Sequence, residues 1–140
     1  MMLSGIDPLL TGDLLLLLDH MGHGDTVLIA DAHYPVYSMG SPVVEVNASA
    51  PEVLRAIRTV IPVDDYEGPS VSIMQPDPGE ALEVGDELRT AARCAAHRLE
   101  ALERFAFYER ARGAFFVARS AESRKYGNAL LRKGVVGFSD

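Results

Sequence analysis

Basic side chains are scarce in this chain, and lysine most of all: only Lys125 and Lys133 occur, both near the C-terminus. Against 13 basic residues stand 20 acidic ones, for a formal charge of −7. That balance argues against nucleic acid or an anionic membrane surface as partner and suits an uncharged ligand better. Cysteine occurs once, at Cys94, so no internal disulfide can form. Its alanine-rich surroundings mark it as a small core residue. Long apolar runs are missing too. The Leu14–Leu18 run is far too short to cross a bilayer. Neither the basic start nor the continuous apolar stretch of a signal peptide is present, so the cytoplasm is the expected compartment. Equally absent are a phosphate-binding glycine loop, a dinucleotide fingerprint, a Gly-x-Ser-x-Gly elbow and a recognisable Ser/His/Asp spacing.

What is present is an ordinary globular composition, 48% hydrophobic and 24% charged, over 140 residues. That length, without internal repeat, low-complexity tract or linker, is read as one compact domain spanning residues 1–140. Thr11 opens a helix and Gly22 stops it. The helix carries Leu14 to Leu18 and is apolar on more than one face, so it is expected in a core or partly under another subunit. Thr26-Val27-Leu28-Ile29 reads as a buried strand ending at Asp31, and Val43 to Val46 as a second. Ser49 and Glu52 fit a capping box for a helix to about Val60, with Val53, Leu54, Ile57 and Val60 on one stripe. A strand over Val71–Met74 and a turn over Pro76-Asp77-Pro78-Gly79 follow. The pattern then predicts a helix from about Asp86 to Arg98, a strand near Glu100–Glu103, a helix over Phe107–Arg112 and a buried strand over Ala114–Ala118. Tyr126-Gly127-Asn128 leads into a last apolar segment. Strands alternating with helices make this an α/β fold with a mostly parallel sheet flanked by helices.

The chemistry-bearing residues gather around the first strand. His23 sits between two glycines in Met21-Gly22-His23-Gly24-Asp25, and an imidazole titrates near working pH. Asp31 follows the strand, where open α/β sheets bind ligands. His23 and Asp31 are expected to reach one shared pocket. His20, His23 and His33 raise the question of a metal, but no HExxH-type spacing and no cysteine joins them. Tyr108 and Arg110 offer a phenol and a fixed cation. Tyr126 and Asn128 lie two apart, which in an extended segment points both to one side, where they can bind the hydroxyls of a polyol. A histidine, a carboxylate, tyrosines and an amide suit proton transfer on an uncharged, hydroxyl-rich molecule, with no metal or other cofactor expected.

Several segments in order carry a resemblance: Gly5-Ile6-Asp7-Pro8-Leu9-Leu10, Met21-Gly22-His23-Gly24-Asp25, Ala30-Asp31-Ala32-His33-Tyr34-Pro35, Arg104-Phe105-Ala106-Phe107-Tyr108-Glu109-Arg110-Ala111, Lys125-Tyr126-Gly127-Asn128 and Leu131-Arg132-Lys133-Gly134-Val135. Together they resemble the sugar mutarotases that comprise L-fucose mutarotase and D-ribose pyranase, and Phe-Tyr-Glu-Arg-Ala looks like the fucose branch. The resemblance implies an isomerase that interconverts the α and β anomers of L-fucose or a related monosaccharide by opening and closing the ring. It puts His23 on the proton donor, Tyr108 on a second catalytic position, and Asp31, Asp64, Met74, Tyr126 and Asn128 on sugar-binding positions. Arg110 is added from the residues themselves, as a sugar contact or an orienting ion-pair partner. The same resemblance implies a homo-oligomer, a ring or decamer, with sites near subunit interfaces. Three alternatives stand beside it: a D-ribose pyranase, a non-catalytic monosaccharide-binding protein of the same fold, and a metal-dependent lyase or isomerase using the three histidines.

Overall fold

The computed structural model describes residues 3–64, 66, 68–80 and 83–137. Its centre is a sheet of six short strands: β1 (Thr26–Ala30), β2 (Val43–Glu45), β3 (Val71–Met74), β4 (Leu99–Leu102), β5 (Phe116–Arg119) and β6 (Ala129–Arg132). They lie in the order β2-β5-β1-β6-β3-β4. β6 is antiparallel to both its neighbours, β1 and β3, and the remaining pairs are parallel. Five strands therefore run one way and β6 alone runs back between them, as the expected mostly parallel sheet requires.

Four helices flank the sheet: α1 (Gly12–His20), α2 (Ala50–Arg58), α3 (Glu83–Ala92) and α4 (Arg104–Ala111). Alternate residues of a strand face opposite sides, and β1 uses both sides for core. Val27 and Ile29 pack with α1, α2 and α3, through Leu14, Leu54 and Leu88 among others. Leu28 and Ala30 pack with Phe107 and Ala111 of α4 and with Tyr34 and Val36. Central strands buried on both faces read as unbroken apolar runs, which is why 26–29 is so plain in the sequence. On α1 the apolar excess resolves by position: Leu14 and Leu18 are buried, whereas Leu16 is 54% exposed. Thr11 sits at the N-cap without making a capping bond. Ser49 does cap α2, accepting the Glu52 N–H.

Two helix boundaries differ from expectation. α3 stops at Ala92, not near Arg98, because Arg93 turns left-handed at φ +49°. Arg58 at the end of α2 covers the exposed carbonyls, donating to Ala92 O at 2.8 Å and Arg93 O at 3.1 Å. A single 3-10 turn, Ala96–Arg98, fills the rest. α4 begins three residues before Phe107, since the Glu103 carboxylate accepts the N–H groups of Phe105 and Ala106. Orphan N–H groups at a helix start are satisfied by such a side chain.

Candidate functional site at the carboxyl end of the sheet

Strand register builds the site. Ile29 of β1 pairs with Ala129 of β6, and Ala129 pairs with Ile73 of β3. One step beyond this row stand Asn128, Met74 and, after Ala30, Asp31. They meet because β6 enters the sheet where β1 and β3 leave it. The Asp31 N–H donates to Asn128 Oδ1 at 2.7 Å and the Asn128 amide donates back to Asp31 Oδ2 at 3.1 Å. Asp31 Oδ1 accepts the N–H groups of His33 (3.0 Å) and Tyr34 (2.9 Å). A carboxylate offers about four lone-pair sites, so one acceptor position on Oδ2 stays open to a ligand. The second Asn128 N–H faces the Met74 sulfur, 3.8 Å away. Burial raises the Asp31 carboxyl above its ordinary range, and the bonds from His33, Asn128 and Tyr34 offset this only in part.

Above this floor is a cavity of about 300 Å3 that Asp31, Met74, Arg104, Tyr108, Tyr126 and Asn128 all line. α4 brings Tyr108, whose ring meets that of Tyr34 edge-on at 5.1 Å. Burial, then the neighbouring Tyr108 and Asp31, pushes the Tyr34 phenol well above its usual value. Tyr126 and Asn128 share the cavity, but not by lying along an extended segment: Tyr126 is left-handed, at φ +65°. Arg110 is elsewhere, ion-paired with Glu100 of β4 and absent from the cavity wall. Arg104, which is not among the expected site residues, has its Nε buried without a hydrogen-bond partner among the described residues. Arg104 and Tyr108 are i and i+4 on one helix, hence on one face, and that spacing was the available signal. His33, Tyr34, Asp77, Glu80 and Lys125 complete the wall.

His23 is not in this cavity, which corrects the expectation that it shares a pocket with Asp31. It precedes β1 whereas Asp31 follows it. Four steps at about 3.3 Å put roughly 13 Å of strand between them. At the amino end, Gly24 turns the chain at φ +89°, and the Lys133 ammonium holds the Leu18 and Met21 carbonyls at the end of α1. His23 Nε2 there lies 3.2 Å from Asp64 Oδ1, with its ring 5.0 Å from that of Tyr66. Arg132 Nε donates to Asp64 Oδ2 at 2.6 Å and the Tyr66 N–H to Oδ1 at 3.0 Å. Burial pushes the Asp64 carboxyl up, but the bonds from Tyr66, His23 and Arg132 outweigh it and hold it below its ordinary range. The His23 side chain is 45% exposed while that of Asp64 is 7% exposed, so the pair presents an imidazole outward from a buried carboxylate.

His33 lines the cavity and His23 stands at the other end of β1, and among the described residues no three His, Cys, Asp or Glu side chains are grouped to hold a metal ion. No helix among the described residues is long and apolar enough to cross a membrane.

Known proteins share this fold and much of this sequence. The chain is 36% identical to an L-fucose mutarotase of Actinobacillus pleuropneumoniae (serotype 5b, strain L20), over 96% of this chain and 97% of that protein. It superposes on the crystal structure of the fucose mutarotase from Streptococcus pneumoniae in complex with L-fucose with a TM-score of 0.89. There the identity is 31%, over 96% of this chain and 99% of that one. Bacillus subtilis RbsD complexed with D-ribose superposes with a TM-score of 0.78 at 23% identity, covering 97% of this chain and 99% of that one, a likeness of fold alone. A family model described as the RbsD / FucU transport protein family matches residues 4–136. By the extent of that match and the identity to its relatives, the chain belongs to the RbsD / FucU family.

Proposed function

We propose that this protein is a mutarotase that interconverts the α and β anomers of L-fucose, acting in the cytoplasm as a homo-oligomer, a ring or decamer. The cavity at the carboxyl end of the sheet carries the reading. It joins one open carboxylate position on Asp31, two phenols (Tyr108 and Tyr126) and the Arg104 guanidinium in a space small enough for one monosaccharide. The 36% identity to a named L-fucose mutarotase selects the sugar.

Ring opening needs a proton delivered to the ring oxygen and one removed from the anomeric hydroxyl. As the C1–ring-oxygen bond breaks, the C1 carbonyl forms. Rotation about C1–C2 and the reverse proton movements close the other anomer. No electron is gained or lost. His23 and Tyr108 act as the acid–base pair, and Asp31, Met74, Tyr126 and Asn128 hold the sugar. Because His23 lies at the other end of β1, the histidine that serves one cavity comes from an adjacent protomer. Exposed apolar surface beside the cavity supports such a neighbour: Phe105 is 65% exposed and lines an adjoining groove of about 690 Å3 with Tyr34, Met39 and Tyr108. General acid–base help of about 10²–10⁴-fold, with positioning, is what such a site supplies over spontaneous exchange.

The separation of His23 from the cavity also favours a second reading, in which the protein binds a monosaccharide without accelerating exchange. One experiment decides between them: anomer exchange of L-fucose followed by saturation-difference NMR, with and without protein, repeated with D-ribose. Protein-dependent exchange that is faster for L-fucose supports the mutarotase. Binding without acceleration establishes the second reading.

A further inference from the structure

We infer that Arg124 is a positioning residue that holds Tyr126 in the backbone conformation the sugar cavity uses; the inference rests on the function proposed above. Tyr126 is one of two non-glycine residues with positive φ among the described residues. A bulky side chain in that region costs free energy and persists only where the surroundings over-determine it. The surroundings here are specific. Glu122 is 4% exposed, and its Cγ would lie 2.7 Å from a Cβ built on Gly127. Its side chain therefore packs directly on the backbone that follows Tyr126.

Arg124 fixes that carboxylate with a two-toothed grip, Nε to Oε2 at 2.9 Å and Nη2 to Oε1 at 3.0 Å. The other edge of the same guanidinium holds Glu87 on α3, with Nη2 to Oε1 at 3.1 Å and Nη1 on Oε2. One planar fork thus joins two carboxylates, a geometry lysine cannot copy. The Glu122 carbonyl accepts the Ala32 N–H at 2.8 Å, and His33 Nε2 donates to Ser123 O at 2.8 Å. By these contacts the segment that carries Tyr126 and Asn128 is pinned to the loop that carries Asp31 and to α3. The carboxyls of Glu122 and Glu87 are both held below their ordinary range, first by the Arg124 side chain.

Glu87 is the informative place to cut, because its side chain is 44% exposed and its loss leaves no buried charge. With the clamp halved, Tyr126 spends part of its time outside the competent conformation, and apparent affinity falls by that fraction. The test measures the Kd for L-fucose by NMR titration, the anomer-exchange rate and the Tm. The expected result for Glu87→Ala is a roughly fivefold weaker Kd, about 1 kcal/mol at 1.4 kcal/mol per tenfold. Saturated exchange stays within about twofold and Tm within about 2 °C. Arg124→Lys should weaken Kd at least as much, since the charge stays and the fork is lost. In a Tyr126→Gly background, where positive φ carries no penalty, Glu87→Ala should add nothing.

An unchanged Kd in both Glu87→Ala and Arg124→Lys overturns the inference. So does the same fivefold effect persisting with Tyr126→Gly, or a loss that tracks Tm alone. Wild-type protein that binds L-fucose without speeding exchange overturns the mutarotase reading and leaves the Kd comparison to judge Arg124. Failure of the wild type to bind L-fucose overturns both.

Discussion

Asp31 and Asp64 are the same residue type, buried to the same degree, at 3% and 5% exposure, and they sit beyond opposite ends of the sheet. Their chemistry diverges because of what surrounds them. Asp31 is held by backbone N–H groups and an amide, all neutral, and burial leaves its carboxyl raised. Burial raises Asp64 too, but the Tyr66 N–H, the His23 imidazole and, unlike anything bonded to Asp31, a guanidinium from Arg132 outweigh it and leave it lowered. Neutral donors orient a carboxylate without neutralising it, which suits hydrogen bonding to an uncharged sugar. A guanidinium partner fixes the carboxylate's charge in place, which suits keeping an imidazole oriented. Under the proposed roles, recognition and proton supply are separated by the length of one strand.

The strongest way to break this division is to remove each half. His23→Ala should cost about 10²–10⁴-fold in anomer exchange while Tm is kept, because the side chain is half exposed. Exchange near the wild-type rate would end its role. Asp31→Ala should be similarly inactive. Mixing and co-refolding the two inactive variants then tests whether the halves meet between protomers. If each cavity borrows His23 from a neighbour across a head-to-tail interface, about a quarter of the sites in a one-to-one mixture pair two intact halves. Recovery to about that fraction of wild-type exchange is expected, and no recovery would sink the shared site.

A smaller effect separates two neighbours on α4. Tyr108→Phe keeps the ring against Tyr34 and removes only the phenol, so exchange should fall by about 10²-fold. Arg110→Ala should leave exchange within about twofold, since Arg110 faces Glu100, and an exposed ion pair contributes about 0–1 kcal/mol. Equal losses in the two variants would contradict the placement of the cavity.

Stability should show the asymmetry from the other side. Arg132→Met leaves the buried Asp64 carboxylate with fewer donors, at a cost of about 1–3 kcal/mol, read as a lower midpoint in urea. A midpoint within error of wild type would mean that Arg132 is dispensable for holding Asp64.

Much of this was legible in the sequence, for a physical reason. A strand buried on both faces is apolar except where a polar side chain finds a partner, as Ser72 does on Glu100, so 26–29 and 71–74 stood out, and Ser49 announced α2 by its own hydrogen bond. Asp31, Met74, Tyr108, Tyr126 and Asn128 do gather at one cavity, because each lies at the end of a strand or on the helix that covers those ends. Periodicity says that a segment is a strand but not which strand lies beside it. It therefore did not tell that β6 runs backward between β1 and β3, the register that brings Asn128 to Asp31. Nor did closeness in sequence mean closeness in space: eight residues that include a full strand carry His23 and Asp31 apart. The left-handed turn at Arg93 is covered by a distant partner, Arg58, and the segment before Tyr126 is tied through Arg124 to Glu87 and through Glu122 to Ala32, links that no local pattern announces.

The subtlest separation between the two ends is in how they answer pH. Asp31, raised above its ordinary 3.8, favours the folded state in its protonated form. Its contribution is complete below the unfolded value and is lost as pH rises through the folded one. Asp64, lowered from 3.8, contributes above the unfolded value and loses that contribution as pH falls through the folded one. Carboxyl carbon shifts followed by NMR from about pH 2 to about pH 7 should therefore give a midpoint above 3.8 for Asp31 and below 3.8 for Asp64. Arg132→Met should carry the Asp64 midpoint upward and leave that of Asp31 where it was, since their donors are separate. If the two midpoints coincide, or move together in the variant, the two ends are one coupled network, and the division of labour between recognition and proton supply fails with them.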